Sequence, residues 1–150
     1  MAYKGPFRPR NRNKYRGKVD KITFRSLWEL HVMKHLDANE HVRWWSSEES
    51  VIPYTNRLDN TRHRYFMDFT VCYNDGTIHL WEVKPAKQTQ PPAKPKRLTS
   101  STKERYVNEV RTWHTNMSKW TAAKELCDKK GWSFKILTED VLRKRFGMKT

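Results

Sequence analysis

Thiols are scarce in this chain: Cys72 and Cys127 are the two that its 150 residues carry. They lie far apart and one falls in a predicted strand, so both read as reduced core thiols of a reducing compartment, and the cysteine pairs that bind zinc are absent. No segment approaches the roughly 18 apolar residues needed to span a bilayer. The start, MAYKGPFRPRNRNKYRGK, lacks the apolar stretch of a signal peptide, so nothing points to export. No glycine-rich phosphate loop and no Ser/His/Asp grouping can be assembled. His31 and His35 stand one helical turn apart, a spacing that suits zinc, but no third ligand accompanies them and they read as solvated. Acids are short as well. Against 31 Lys+Arg there are 16 Asp+Glu, for a formal net charge of +15. A balance this basic implies a polyanionic partner, with nucleic acid ahead of an acidic membrane surface.

What is present supports one domain: no internal repeat is visible, and 7 Trp, 6 Tyr and 6 Phe supply bulk for a core. Residues 1–21 hold eight Lys/Arg and one Asp. They read as a basic, flexible arm, mobile until it finds phosphates, with Arg8, Arg10 and Arg12 as its candidate contacts. From Thr23 to about Leu36 the apolar spacing predicts a helix, with Thr23 or Ser26 as its N-cap. Val42 to Tyr54 reads as one or two strands, Pro53 marking an edge or an end, and Thr55 to His63 as a polar, shallow loop.

The stretch Arg64–Pro85, RYFMDFTVCYNDGTIHLWEVKP, predicts a hairpin. Two registers are open. A two-residue turn at Asp75-Gly76 pairs Tyr73 with Ile78 and sets Asp68 on the opposite sheet face from Glu82 and Lys84. A three-residue loop, Asn74-Asp75-Gly76 with Gly76 left-handed, pairs Tyr73 with Thr77 and puts Asp68 directly opposite Glu82. Lys84 then shares their face. A site made of all three residues requires the second register. Residues 85–97, PAKQTQPPAKPKR, form an extended cationic loop, and as a segment tied into the fold at both ends it suits an SH3-type ligand poorly. Ser101 and Glu104 make a capping-box pattern before a long helical stretch, which a break near Asn116-Met117-Ser118 would split in two. Its aromatic stripe reads as core. Gly131 ends it, Trp132–Leu137 reads as a strand, and Thr138 caps a short helix.

Asp68, Glu82 and Lys84 fit D-x13-E-x-K. Phosphodiester hydrolysis needs a metal to polarise the phosphate and acidify the attacking water. Magnesium, a hard cation that takes a few carboxylates plus waters, suits Asp68 and Glu82, with manganese as a substitute. Lys84 can orient the water or neutralise developing charge. Spacing alone is a weak signal. The bland alternative has Asp68 capping a strand end and Glu82–Lys84 as a salt bridge on an edge strand, but the flanking Phe66, Met67, Phe69, Leu80, Trp81 and Val83 describe interior strands. Glu29 is a candidate third acid from the first helix, unless it is consumed in a capping box with Ser26.

These residues carry a resemblance. Thr23, Arg25, Ser26 and Glu29, then R-Y-F-M-D, W-E-V-K-P and the T-Q-P-P run, are similar to the head-completion nucleases of T-even-type tailed phages, over most of the chain. Those belong to the wider PD-(D/E)xK nucleases, and the helix-borne glutamate resembles that of TnsA-like endonucleases. The resemblance implies an α/β fold of the restriction-endonuclease-like type, an αβββαβ core with a mixed central sheet flanked by helices, over residues 22–150. It implies Asp68, Glu82 and Lys84 as the catalytic set with Glu29 as a fourth member, and Asp68, Glu82 and Glu29 as metal ligands. Met67 stands where the family often has proline. The implied role is a magnesium-dependent DNA endonuclease acting on the packaged DNA end in the host cytoplasm late in assembly, with portal or head-neck proteins as partners. Retention in the virion is the other location. Arg64, Lys87 and Gln90 are the residues expected nearest the DNA backbone, whose contacts are sequence-blind. A non-catalytic DNA-end binder or portal plug is the alternative, which the intact acid–acid–lysine set disfavours.

Overall fold

The computed structural model describes residues 3–149. In chain order it has β1 (Gly5–Pro6), β2 (Thr23–Phe24), α1 (Leu27–Ala38), β3 (Val42–Ser47), β4 (Val51–Asn56), β5 (Thr61–Phe66), β6 (Phe69–Tyr73), β7 (Ile78–Val83), α2 (Ser100–Lys130), β8 (Ser133–Leu137) and α3 (Glu139–Phe146). The central sheet has the order β3-β6-β7-β8, antiparallel except for the parallel β7–β8 pair. A parallel neighbour needs a long crossover, and α2 supplies it. Setting aside the two separate two-stranded sheets, β1–β2 and β4–β5, and the last helix α3 leaves α1-β3-β6-β7-α2-β8, the expected αβββαβ order.

Helices cover both sheet faces, because β6 and β7 are apolar on both. Phe69, Val71 and Trp81 pack with Val32, Met33 and Leu36 of α1 and Leu142 of α3. Leu80, from the other face, packs with Trp120, Ala123 and Cys127 of α2 and with Ile52, Tyr54, Tyr65 and Met67 around the β4–β5 hairpin. Both cysteines are free and buried.

The hairpin register is the one with the three-residue loop. Phe69 pairs with Trp81 and Cys72 with Ile78. The Tyr73 N–H donates to the Thr77 carbonyl at 3.0 Å, and Gly76, at φ +86°, donates back to the Tyr73 carbonyl at 2.9 Å. A side chain at that φ would be strained, which is why glycine closes the loop.

Several expectations are corrected. The strand read as running from Arg64 to Tyr73 is broken at Met67-Asp68: up to Phe66 the chain pairs with β4, and from Phe69 it pairs with β3 and β7. Nothing local marks this break, because two different partner strands impose it. The polar segment read as a loop supplies the ends of β4 and β5, with Asn56 buried and its amide donating to Thr115 Oγ1. The long helix is unbroken from Ser100 to Lys130 and is capped by Thr99 with Thr102, not by Ser101 with Glu104. Ser118, read as part of a break, spends its hydroxyl on the Arg57 N–H and the His114 carbonyl. A polar side chain with tertiary partners need not end a helix. Finally, His31 and His35 are packed on α3: the His31 ring bonds the Phe146 carbonyl at 2.7 Å, and His35 meets the Phe146 ring edge-on.

The basic arm is likewise docked from residue 3 onward. Phe7 and Tyr15 bury against Trp45, and the Arg16 N–H donates to the Trp45 carbonyl. Asp37, buried at the C-terminal turn of α1, accepts from the backbone N–H groups of Arg10 and Asn11 at 2.9 and 3.0 Å. The Arg side chains stay outside, while interleaved aromatics and Lys14, which donates to the Asp37 and Asn39 carbonyls, anchor the segment, so average composition hides the docking. Asp37→Ala should cost about 1–3 kcal/mol in urea unfolding, since it orphans those two N–H groups. It should also open residues 3–21 to limited proteolysis; an unchanged midpoint and digestion pattern would mean that Asp37 does not hold the segment.

Candidate active site

Asp68 occupies the break between β5 and β6, and Glu82 and Lys84 lie at the C-terminal end of β7. Continuing the register of Phe69 with Trp81 sets Asp68 opposite Glu82. The Asp68 carboxylate takes the Val83 N–H, which donates to Oδ2 at 2.8 Å. Glu82 is buried, and the Tyr65 hydroxyl donates to its Oε2 at 2.7 Å. Lys84 Nζ stands 3.8 Å from Oε1 of the same carboxylate. Each acid therefore has one oxygen tied by a protein donor. The second oxygen of Glu82 faces the lysine.

Two like charges held together in a poorly solvated place resist ionising together. Burial pushes the Asp68 carboxyl well above its ordinary range, and the charges of Glu82 and Glu29 and a hydrogen bond with Glu82 add to that, while the Val83 N–H pulls the other way. Burial, then Glu82, raises the Tyr65 phenol, which stays protonated and a donor.

Glu29 is only loosely associated. Ser26 caps α1, accepting the Glu29 N–H at 3.1 Å, and Thr23 lies in β2. The Glu29 carboxylate turns back to the Arg25 N–H at 3.4 Å. Burial raises it, Arg25 lowers it, and Glu82 raises it further, so it shares the field of the pair. Among the described residues, no three His, Cys, Asp or Glu side chains are gathered closely enough to hold a metal ion. The expected three-acid ligand set is thus not assembled: Asp68 and Glu82 are brought together, and Glu29 is linked to them through charge alone. Two opposed carboxylates still form an all-oxygen donor set that fits a hard divalent cation, which commonly takes one or two carboxylates and fills the rest of its shell with water.

Of the expected DNA contacts, Arg64 is exposed on the outer face of the β4–β5 hairpin, its guanidinium over Phe66. Lys87 and Gln90 are exposed just past β7. Arg8, Arg10 and Arg12 are exposed, and Arg12 pairs with Asp20. The backbone of Arg10 is fixed to Asp37, at the end of α1 opposite Glu29, about 12 Å along the axis. The structure does not bring that part of the basic segment to the acids.

Sequence reasoning missed three residues here. Tyr65 anchors Glu82, and its only signal was a polar atom on an inward-facing strand position. Arg25 forms an ion pair with Glu48. Glu48, at φ +55°, donates its N–H to the Met67 and Asp68 carbonyls. A non-glycine residue in the left-handed region beside the acids marks a strained turn that holds the Asp68 backbone.

A comparison with family models now decides the lineage. The model described as "TnsA-like endonuclease N terminal" matches residues 39–139. The chain belongs to the TnsA-like endonuclease family. The matched span carries Asp68, Glu82 and Lys84 and stops short of Glu29. Nucleases of the wider PD-(D/E)xK group generally use divalent metals. The chain is also 47% identical over 143 residues, 95% of each protein, to the head completion nuclease of Enterobacteria phage T4. No solved structure matches. Among the described residues, no helix is long and apolar enough to cross a membrane.

The raised Asp68 pKa gives a pH signature. A carboxyl whose folded pKa exceeds its unfolded value binds more protons when folded. Its contribution to stability is therefore greatest at low pH and is lost as pH rises from the ordinary aspartate range through the raised folded value. In EDTA at neutral pH, Asp68→Asn keeps an acceptor for the Val83 N–H and removes one buried charge. It should raise Tm by about 2–4 °C, worth about 1 kcal/mol. Mg²⁺ should raise the wild-type Tm and leave the Asn variant unmoved. Equal metal shifts in both would rule out Asp68 as a ligand.

Proposed function

We propose that this TnsA-like endonuclease is a metal-dependent DNA nuclease that works at phage head completion. Its reading rests on one observation: two opposed carboxylates, each with one oxygen tied to the protein, stand beside a lysine just past the end of a central strand. The bland alternative had part of the same geometry, since Asp68 does accept the Val83 N–H and Glu82 does pair with Lys84. It needed β7 at an edge, however, and β7 lies between β6 and β8.

In this reading Asp68 and Glu82 hold Mg²⁺, with Mn²⁺ as a substitute, and Glu29 assists through its charge. When bound, the cation would polarise the phosphate and lower the pKa of a coordinated water. Tyr65 keeps Glu82 in a single rotamer by donating to Oε2, so that Oε1 faces the metal position and Lys84. The Val83 N–H does the same for Asp68. Lys84 orients the attacking water or neutralises charge that develops on the phosphate, a role that a compact ammonium fills well. Arg64, Lys87 and Gln90 grip the backbone near the site, and the formal charge of +15 favours contacts blind to sequence.

The relative's name, head completion nuclease, supports a role late in virion assembly. The substrate is then the DNA at the portal of a filled head, the partners are portal or head-neck proteins, and the setting is the host cytoplasm.

Lys84→Ala and Asp68→Ala should each lower Mg²⁺-dependent plasmid cleavage by about 10²–10⁴-fold while leaving plasmid binding in EDTA close to wild type. A wild-type protein that leaves DNA uncut over a range of divalent cations, yet completes heads, would make the chain a DNA-end plug instead.

A further inference from the structure

The long helix α2 does more than cross between β7 and β8. At 31 residues it is about 46 Å long, and its buried residues, Asn116 to Cys127, all lie in the C-terminal half. The N-terminal half reaches past the sheet, and its neighbour there is the proline-rich strap that follows β7. Between helix and strap lies an open cleft of about 1190 Å³.

Its position is set by the chain. The strap enters the cleft at Lys87, three residues beyond Lys84. The helix wall begins at Asn116, one turn from Trp120, which packs with Tyr65, the anchor of Glu82. The end of the cleft at Lys87 and Asn116 is therefore the one nearest the paired carboxylates along the chain, and the other runs toward Ser101. Nothing in the catalytic geometry requires such a passage.

Its chemistry is that of a strand-binding groove. Lys87, Lys94 and Lys96 of the strap and Arg105 of the helix supply cations, against Glu104 and Glu109 on the helix. Glu109 is itself paired with Arg105 at 3.9 Å. Tyr106 and Trp113 place aromatic rings in the wall between these charges. Pro91, Pro92 and Pro95 stiffen the strap, so it holds its shape without sheet hydrogen bonds. Cations interleaved with aromatics suit a nucleic acid whose bases are free to stack. In a duplex the bases stack on one another and only phosphates face outward. The volume suits a few nucleotides of one strand.

We infer that this cleft seats an unpaired DNA strand, an overhang or a frayed end, and leads it to the Asp68–Glu82 pair. The inference rests on the nuclease reading for its direction, and on the cleft alone for binding.

The test uses the full chain in EDTA. Fluorescence anisotropy would compare an oligo(dT) probe of about 12 nucleotides with a blunt duplex of equal length, over a range of NaCl. Lys94→Ala with Lys96→Ala, both at exposed positions, should weaken oligo(dT) binding several-fold and the duplex by clearly less. The salt slope for oligo(dT) should shrink by about 1.4, the loss of two phosphate contacts on a single strand. A 5-iodouracil probe should cross-link to Tyr106 or Trp113. Unchanged oligo(dT) binding, equal losses on both probes, or cross-links confined to other surfaces would overturn the cleft. Mg²⁺ cleavage of a forked duplex separates the two readings. Cutting by the wild type together with unaltered oligo(dT) binding by the double variant overturns the cleft and leaves the nuclease. Cleft-dependent binding without any cutting supports the cleft and overturns the nuclease.

Discussion

The structure depends on keeping Asp68 and Glu82 face to face. Left to themselves, two poorly solvated carboxylates repel and would be stabler apart. The protein overrides that preference with two donors, the Val83 N–H on Asp68 and the Tyr65 hydroxyl on Glu82. Both donors exist because of pairings made elsewhere. Tyr65 faces inward because β5 pairs with β4 and lays one side on α2. The Val83 N–H meets Asp68 because the β6–β7 ladder ends one step earlier, at Phe69 and Trp81. A local rule is broken in a place that the rest of the fold is built to hold, which is where function is expected to break it.

The break at Met67-Asp68 is what makes the site possible. A continuous strand would have kept Asp68 in ladder hydrogen bonds and given Glu82 no neighbouring phenol. Instead, the chain leaves the small β4–β5 sheet and enters the central one, and the crossover is pinned by Glu48, whose N–H bonds both carbonyls of the turn. Arg25 ties Glu48 to the start of α1, so the first helix, the β3–β4 turn and the acid pair form one assembly. Glu29 belongs to it by charge more than by contact, which is consistent with a supporting role.

Polar residues were the recurrent source of difference between sequence and structure. Asn56 and Ser118 look like loop and break residues, yet each is consumed by a partner about 60 positions away. Asp37 looks like the polar end of a helix and instead captures the N-terminal segment. A hydroxyl or carboxylate reads the same in one dimension whether it meets water or a backbone group from a distant element. Apolar patterning carries no such ambiguity, which is why the strands β6 and β7 and the helix faces were legible.

By itself the sequence determined the two-faced apolar strands and narrowed the turn to two registers, of which only the three-residue loop at Gly76 lets Asp68, Glu82 and Lys84 share a face. These follow from local sterics and a period of two. It also determined the basic balance and the proline-rich strap, which composition states outright. Only the tertiary structure decided that Asp68 sits at a strand break, that Tyr65 and Glu48 brace the acids, and that α2 runs unbroken beside the strap. Those outcomes rest on hydrogen bonds and burial between residues distant in the chain, and no window of neighbours contains them.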